Sequence, residues 1–357
     1  MAILDLRSSI LDDRAPGSKS MKRSATFVLS LTIYWLSAAA VSEAQTASQS
    51  ALVEGAKKEG KLVWYTSMAI DTSKPLLDAF LKDYPFIQAE LVRLGEEQLM
   101  TRILSEVRGG KWAFDMMSGS AISTLVDRHI IAPYLTPSRD AYPDEFKDPQ
   151  GYWTGVFVNN LIVAYNTRQV SAKDAPKDYA DLLDPKWKGK ILMDSTDYDW
   201  YGTLAMVWGR EKTLKYMQQL SRQEPQWRRG HGLTAQLVGA GETPLAMAYS
   251  FRIERMKKDG APVEWVDTFN PIVTTLSGIG LSAKPTNVNA GKLFIDFATS
   301  TKAQTMVREM RRIPARSDVK PLAPKMDQSK LKLKAVPKEV YLNLDEYARE
   351  FRKIFGL

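Results

Sequence analysis

Lys61-Leu62-Val63-Trp64-Tyr65-Thr66-Ser67 is the stretch on which the reading of the fold turns. Four consecutive apolar or aromatic residues, with no polar alternation, run into two hydroxyl residues. Such a run is too short for a helix and fits a strand buried on both faces, as in a parallel sheet covered by helices. The flanks repeat the theme. Residues 51–60 read as a short helix ended by Gly60, and Ser73 and Pro75 suit the first turn of a helix. Its apolar stripe is Leu76, Leu77, Phe80 and Leu81, closed near Pro85. Phe86 to Leu94 reads as a second strand, Glu96 to Val107 as an amphipathic helix stopped by Gly109-Gly110, and Ala113 to Met117 as a third strand. This alternation predicts an α/β fold with a mostly parallel sheet. Ligands bind such sheets beyond the carboxyl ends of the strands, where Thr66-Ser67 and Ser118-Gly119-Ser120 fall.

Farther along, Trp153 to Tyr165 is an extended run long enough to pass from one lobe to another. A second alternating series follows: a strand at Ile191-Leu192-Met193 ending in Asp194-Ser195-Thr196, a helix at Thr213 to Leu220, a strand at Leu245 to Tyr249 and a helix at Phe251 to Lys258. Thr274 to Ala283 is a second extended run that carries the chain back. Amphipathic helices are expected at Asn289 to Thr299, Thr301 to Arg311 and Leu344 to Phe355, with an irregular Lys- and Pro-rich stretch at Pro314 to Lys338. The expected division is one lobe of residues 51–155 plus 278–357 and a second of 156–277, joined by two crossings. No fixed-period repeat argues for a solenoid.

The first 44 residues read differently. Met21-Lys22-Arg23, an apolar run from Ala25 to Ala40 and the small residues of Ser42-Glu43-Ala44 have the order of a cleavable secretory signal. The run is shorter than a membrane span needs and contains Ser30, Thr32 and Ser37. Residues 1–20 fit neither signal nor fold, so Met21 reads as the signal's start. The 357-residue chain is 44% hydrophobic and 25% charged, ordinary globular values, with net charge +8. That mild basic bias reads first as an ordinary solvated surface and second as a long-range attraction for anions, and it lacks the dense basic-aromatic clusters of a nucleic-acid binder. Cys is absent, which removes disulfides, thiolate metal sites and thiol nucleophiles.

Catalytic patterns are thin. The two histidines, His129 and His231, have no metal-ligand spacing around them, and neither a phosphate loop nor a nucleophile elbow occurs. His129 fits a helix end. His231 lies in Arg228-Arg229-Gly230-His231-Gly232, a turn before a helix opening near Thr234, where backbone amides can meet an anion or simply face solvent. Asp194-Ser195-Thr196-Asp197-Tyr198-Asp199 gathers three carboxylates but lacks the Gly and distal Glu of a calcium loop, so self-capping Asp side chains are the expectation. Trp64-Tyr65, Trp153, Tyr198, Trp200-Tyr201, Tyr249 and Phe251 fall at chain turns, as cleft walls or as core.

Several segments together resemble one family. Gly60 to Ser67, Ile131-Ala132-Pro133-Tyr134, Trp153-Thr154-Gly155, Ala164-Tyr165-Asn166-Thr167 and Ile313-Pro314-Ala315-Arg316-Ser317-Asp318 fit it. Ala180-Asp181-Leu182-Leu183-Asp184-Pro185-Lys186-Trp187-Lys188-Gly189-Lys190 fits most specifically. The chain is similar to the ferric-ion-type substrate-binding proteins of bacterial ABC importers. The resemblance implies a type 2 periplasmic binding protein: two α/β lobes, two crossing hinge strands, closure on a ligand and delivery to an inner-membrane permease. It also implies a monomer in the periplasm without cofactor or catalysis. Iron-binding members commonly carry two adjacent tyrosines after the strand that follows a Gly-Glu pair. Here Gly241-Glu242 leads instead to Phe251-Arg252. A phenyl ring and a guanidinium coordinate no metal, whereas Arg pairs with a carboxylate or phosphonate.

The leading expectation is therefore a small organic anion. Thr66, Ser67, Ser118, Ser120 and Asn159 donate hydrogen bonds to it, Arg252 neutralises it, and Trp200, Tyr201 and Tyr249 wall the site; Tyr65, Asn160, Ser195 and His231 complete the candidates, with no metal ligand assigned. The alternatives are ferric iron or its chelate, with Tyr249 or Tyr201 as ligand, and a secreted enzyme using Asp194 to Asp199.

Overall fold

The computed structural model describes residues 49–357, so the expected signal segment lies outside the described residues. The first series runs α1 (49–59), β1 (Lys61–Thr66), α2 (Ile70–Asp83), β2 (Gln88–Arg93), α3 (Glu96–Arg108), β3 (Met116–Gly119), α4 (Ser123–Val126) and β4 (Ile131–Ala132). β5 (Thr154–Asn166) opens the second, which continues as β6 (Ile191–Asp194), α5 (Tyr198–Trp208), α6 (Arg210–Ser221), β7 (Gln226–Arg228), α7 (His231–Ala240), β8 (Leu245–Tyr249), α8 (Ser250–Lys258) and β9 (Val263–Trp265). β10 (Ile272–Ser282) returns, followed by α9 (Val288–Thr299), α10 (Thr301–Glu309), β11 (Ile313–Pro314), β12 (Leu333–Ala335), α11 (Lys338–Leu342) and α12 (Leu344–Phe355).

The strands line up as β2-β1-β3-β10-β5-β8-β6-β7. β1, β2 and β3 are parallel, as are β6, β7 and β8. β5 and β10 are the antiparallel exceptions. The first part of β5 pairs with β10 from Thr274↔Asn160 to Ile279↔Thr154, and its second part pairs with β8 from Leu161↔Tyr249 to Tyr165↔Leu245. One strand thus belongs to both sheet halves, the arrangement of a two-lobed type 2 binding-protein fold with hinge strands. Each half has its own apolar core: Trp64, Phe80 and Phe294 in the first, Trp200, Trp265 and Leu245 in the second.

Several boundaries differ from the sequence reading for local reasons. α2 begins at Ile70, so Ser73 and Pro75 lie inside it; Ser73 donates through N–H and hydroxyl to the Ala69 carbonyl, and only the bond Pro75 cannot make is forfeited. β3 starts and ends later than expected, because Met116, Met117 and Ser118 pair with Trp64, Tyr65 and Thr66. α5 carries no expectation in the sequence reading beyond the self-capping run Asp194–Asp199: most of its first eight residues are buried, and its exposed positions are the apolar Met206 and Val207, so it lacks a polar face. α12 packs on α5 through Phe351, which contacts Tyr198 and Tyr201. Residues 344–355 therefore pack against helices of the second series.

Candidate functional site

The carboxyl ends of β1 and β3 face those of β6 and β8 across a cavity of about 570 Å³ lined by Glu96, Asp197, Asp199, His231, Tyr249 and Tyr341. It adjoins a second space of about 300 Å³ whose walls include Ser67, Asn159, Phe251, Arg252, Ser277 and Arg312. Outward it meets a vestibule of about 730 Å³ bordered by Arg102, Glu106, Ser195, Arg229 and Arg352.

On the first wall, Glu96 opens α3 and its carboxylate accepts hydrogen bonds from the Ser67 hydroxyl and from the Ser120 and Ala121 amides, at 3.0 and 2.8 Å for the amides. These are donors that the sequence reading gave to a ligand. An internal carboxylate takes the Ser67 hydroxyl and the Ser120 amide instead, while the Ser120 hydroxyl is not engaged by Glu96 and both residues still line the space. Thr66 and Ser118 are fully buried; their hydroxyls bond each other at 2.6 Å, and Trp64 Nε1 donates to Ser118 at 3.0 Å. Both leave the site.

On the second wall, Asp194 ends β6 and accepts from the Thr196 amide at 3.0 Å, the Thr196 hydroxyl at 2.8 Å and the Gly230 amide at 2.7 Å. His231, first residue of α7, sets Nδ1 3.4 Å from Asp194 and Nε2 2.8 Å from Asp197. Its ring stacks on Tyr249 with centroids 4.1 Å apart. Burial alone would lower the His231 pKa, but the charge of Asp197, backed by Asp194 and Asp199, raises it to about 9, so the ring is an imidazolium at neutral pH. Burial, reinforced by the charge of Asp197, pushes Asp199 up to about 6. Burial and the same acids push Tyr249 and Tyr341 well up, leaving both as neutral phenols. Among the described residues Asp194, Asp197 and His231 are the group whose ligand atoms all lie within 4.8 Å of one another, the separation a metal ion requires.

Between the walls, Arg312 is sandwiched by the rings of Phe157 and Phe251, 4.2 and 4.1 Å from their centroids, and donates to Thr72 at 2.6 Å and Asn159 at 3.1 Å. Burial lowers its pKa to about 9, with Asp71 opposing. Arg252 Nη1 donates to Asp71 at 3.1 Å, and Arg255 donates to the same oxygen at 2.9 Å, tying α8 to α2. Arg252 also approaches Gly232, where a side chain would meet its guanidinium at 3.9 Å.

Of the sequence candidates, Ser67, Ser120, Asn159, His231, Tyr249 and Arg252 line the inner spaces, and Ser195 reaches the vestibule. Four others, besides Thr66 and Ser118, belong to the packed interior. The Tyr65 hydroxyl donates to Glu106 at 3.1 Å under α3, and Asn160 accepts from Thr274 at 2.9 Å within the sheet. Trp200 donates to the Tyr179 hydroxyl at 3.3 Å in the second core, and Tyr201 donates to Glu350 of α12 at 3.0 Å. Strand alternation and helix phase turn these side chains away from the space their neighbours line. Glu96, Arg93, Arg312 and Tyr341 also line these spaces and were not among the sequence candidates, as do Asp197 and Asp199, named there only for the enzyme alternative. The Asp194–Asp199 run was the one available signal; its self-capping holds for Asp194, whereas Asp197 and Asp199 face the cavity.

The signature of the family described as bacterial extracellular solute-binding protein matches residues 114–337. Iron uptake protein A2 of Synechocystis sp. is 27% identical over 271 residues, 69% of this chain and 75% of that protein. Iron-bound HitA from Pseudomonas aeruginosa superposes with a TM-score of 0.75 at 19% identity, covering 83% of this chain and 99% of that one. AfuA from Actinobacillus pleuropneumoniae, with exogenous fructose-6-phosphate bound, superposes with a TM-score of 0.71 at 25% identity, covering 82% and 97%.

Proposed function

We propose a ligand on the premise that this chain belongs to the family of bacterial extracellular solute-binding proteins. It is the periplasmic substrate-binding protein of an ABC importer and works with a membrane permease. The ligand, in our reading, is a small organic anion, a carboxylate or phosphonate, held between the lobes by a monomer that binds without turnover and releases it to the permease. The observation that carries this is the charge of the smaller space of about 300 Å³: Arg93, Arg252, Arg312 and the His231 imidazolium line it against one carboxylate, Glu96, whose oxygens are already committed to Ser67, Ser120 and Ala121. The first turn of α7 adds backbone amides and the positive end of a helix dipole. AfuA, 25% identical, was solved with a phosphorylated anion.

Native mass spectrometry of protein gently isolated from the periplasm tests this. A co-purified organic acid supports the reading, and bound iron without an organic acid overturns it.

A second reading, ferric iron or its chelate, is favoured by the Asp194-Asp197-His231 group. Against it, the positions expected for the tyrosine pair hold Phe251, buried against Arg312, and Arg252, paired with Asp71. Titration with ferric iron decides: a visible tyrosinate-to-iron band, with Tyr249 or Tyr341 as ligand, would establish it, and a colourless, iron-free protein would end it.

A further inference from the structure

The inner space has two chemically different ends. At one, Arg252 and Arg312 lie near the first turn of α7. At the other, Asp194, Asp197 and Asp199 lie with Tyr341; Arg93, Arg229, Arg349 and Arg352 also border this larger space, but none of them forms an ion pair with Asp197 or Asp199. His231, Tyr249 and Ser120 line both, so the ends adjoin.

Besides His231 Nε2, whose one close neighbour is Asp197 Oδ1 at 2.8 Å, three polar atoms along this space are sealed from solvent yet lack a hydrogen-bond partner: Ser277 Oγ at the basic end, and Asp197 Oδ2 and the Tyr341 hydroxyl at the acidic end. The Tyr341 hydroxyl lies beside Ser120 without a well-formed bond. Buried polar atoms without partners are costly, so orphans from three separate elements around one cavity point to something that completes them. Their chemistry is directional. A hydroxyl such as Ser277 can donate to an anion, whereas an ionised carboxylate oxygen only accepts and calls for a donor.

The charges agree. Asp194 is satisfied by Thr196 and Gly230, and the His231 imidazolium balances Asp197. Asp199 accepts from backbone amides, the Trp200 amide at 2.8 Å and its own, and has no Lys or Arg partner among the described residues. A buried carboxylate beside two neutral phenols is a setting for an ammonium group.

We propose that the ligand is a zwitterion whose carboxylate or phosphonate lies against the first turn of α7 and Arg252, and whose protonated amine sits between Asp197, Asp199 and Tyr341. This deepens the anion reading above and rests on it.

Calorimetry with matched probes tests it. In each set one carboxylate or phosphonate carries an ammonium, a hydroxyl or a hydrogen at the far end of a chain of two to four carbons; propionate, 3-hydroxypropionate and 3-aminopropionate form one such set. The amine member is expected to bind at least tenfold more tightly than the hydrogen member. Asp199→Asn and Tyr341→Phe are each expected to shrink that ratio, which is taken within one variant and so is insensitive to partial loss of folded protein. If the hydroxyl or hydrogen member binds as tightly as the amine, the zwitterion is overturned while the anion reading stands. If no member of any set binds, both fall.

Discussion

At the scale of single residues, His231 concentrates the site's electrostatics. Its pKa is raised in the folded protein to about 9, so the ion pair with Asp197 contributes stability that is fully present below the unfolded value near 6.5 and is lost as pH rises through about 9. The melting temperature should therefore fall between pH 6.5 and 9, and His231→Gln should flatten that fall; an equally steep fall in the variant would refute the assignment. Arg252 makes the companion case. Arg252→Ala should weaken anion binding by tenfold or more, about 1.4 kcal/mol or above, in calorimetry at constant ionic strength. Unchanged affinity would remove Arg252 from the site and leave it as a tie to Asp71. Residue types made His231, Tyr249 and Arg252 legible as candidates. Trp200 and Tyr201 were equally plausible by type, and only their places in the second core and under α12 separate them from the cavity.

At the scale of elements, α12 joins sequence, packing and site. Its apolar stripe is regular enough to be read directly, and the helix found, Leu344–Phe355, coincides with the one expected. What the stripe does not say is which surface it covers. Phe351 is fully buried and packs its ring against Tyr198, Trp227 and Phe355, so α12 closes the core under α5, the helix that carries Asp199. Phe351→Ala should cost about 3–5 kcal/mol in denaturant unfolding, the range for deleting a buried ring. A loss below about 1 kcal/mol would mean that α12 is peripheral. α11, which brings Tyr341 to the cavity, is a single short turn of helix within a Lys- and Pro-rich stretch and carried no periodic signal.

At the scale of the molecule, α2 and α8 are joined by one carboxylate. Asp71 accepts from Arg252 and Arg255, and Arg312 Nη2 stands 4.0 Å away; burial works against ionisation of Asp71, but these guanidiniums hold its pKa below the usual carboxylate range. A charge group that joins α2 of the first series to α8 of the second resists their separation. Asp71→Asn should speed ligand dissociation in stopped-flow measurements and raise the radius of gyration of the ligand-free protein in X-ray scattering. Both quantities unchanged would show that the group is only a surface ion-pair cluster.

The sequence by itself determined the class of fold, because unbroken apolar runs such as Leu62-Val63-Trp64-Tyr65, alternating with amphipathic helices, have few ways to be buried other than a helix-covered parallel sheet. It also determined the family, through segments such as Ala180 to Lys190. The tertiary structure alone decided the site. Glu96 silences donors that look free in the sequence, His231 meets carboxylates more than thirty positions away, and Tyr341 arrives from the far end of the chain. The physical reason is one of range. Secondary structure follows from periodicities between near neighbours, whereas the partners, burial and charge of a cleft side chain are set by residues that only the closed topology brings within hydrogen-bond distance.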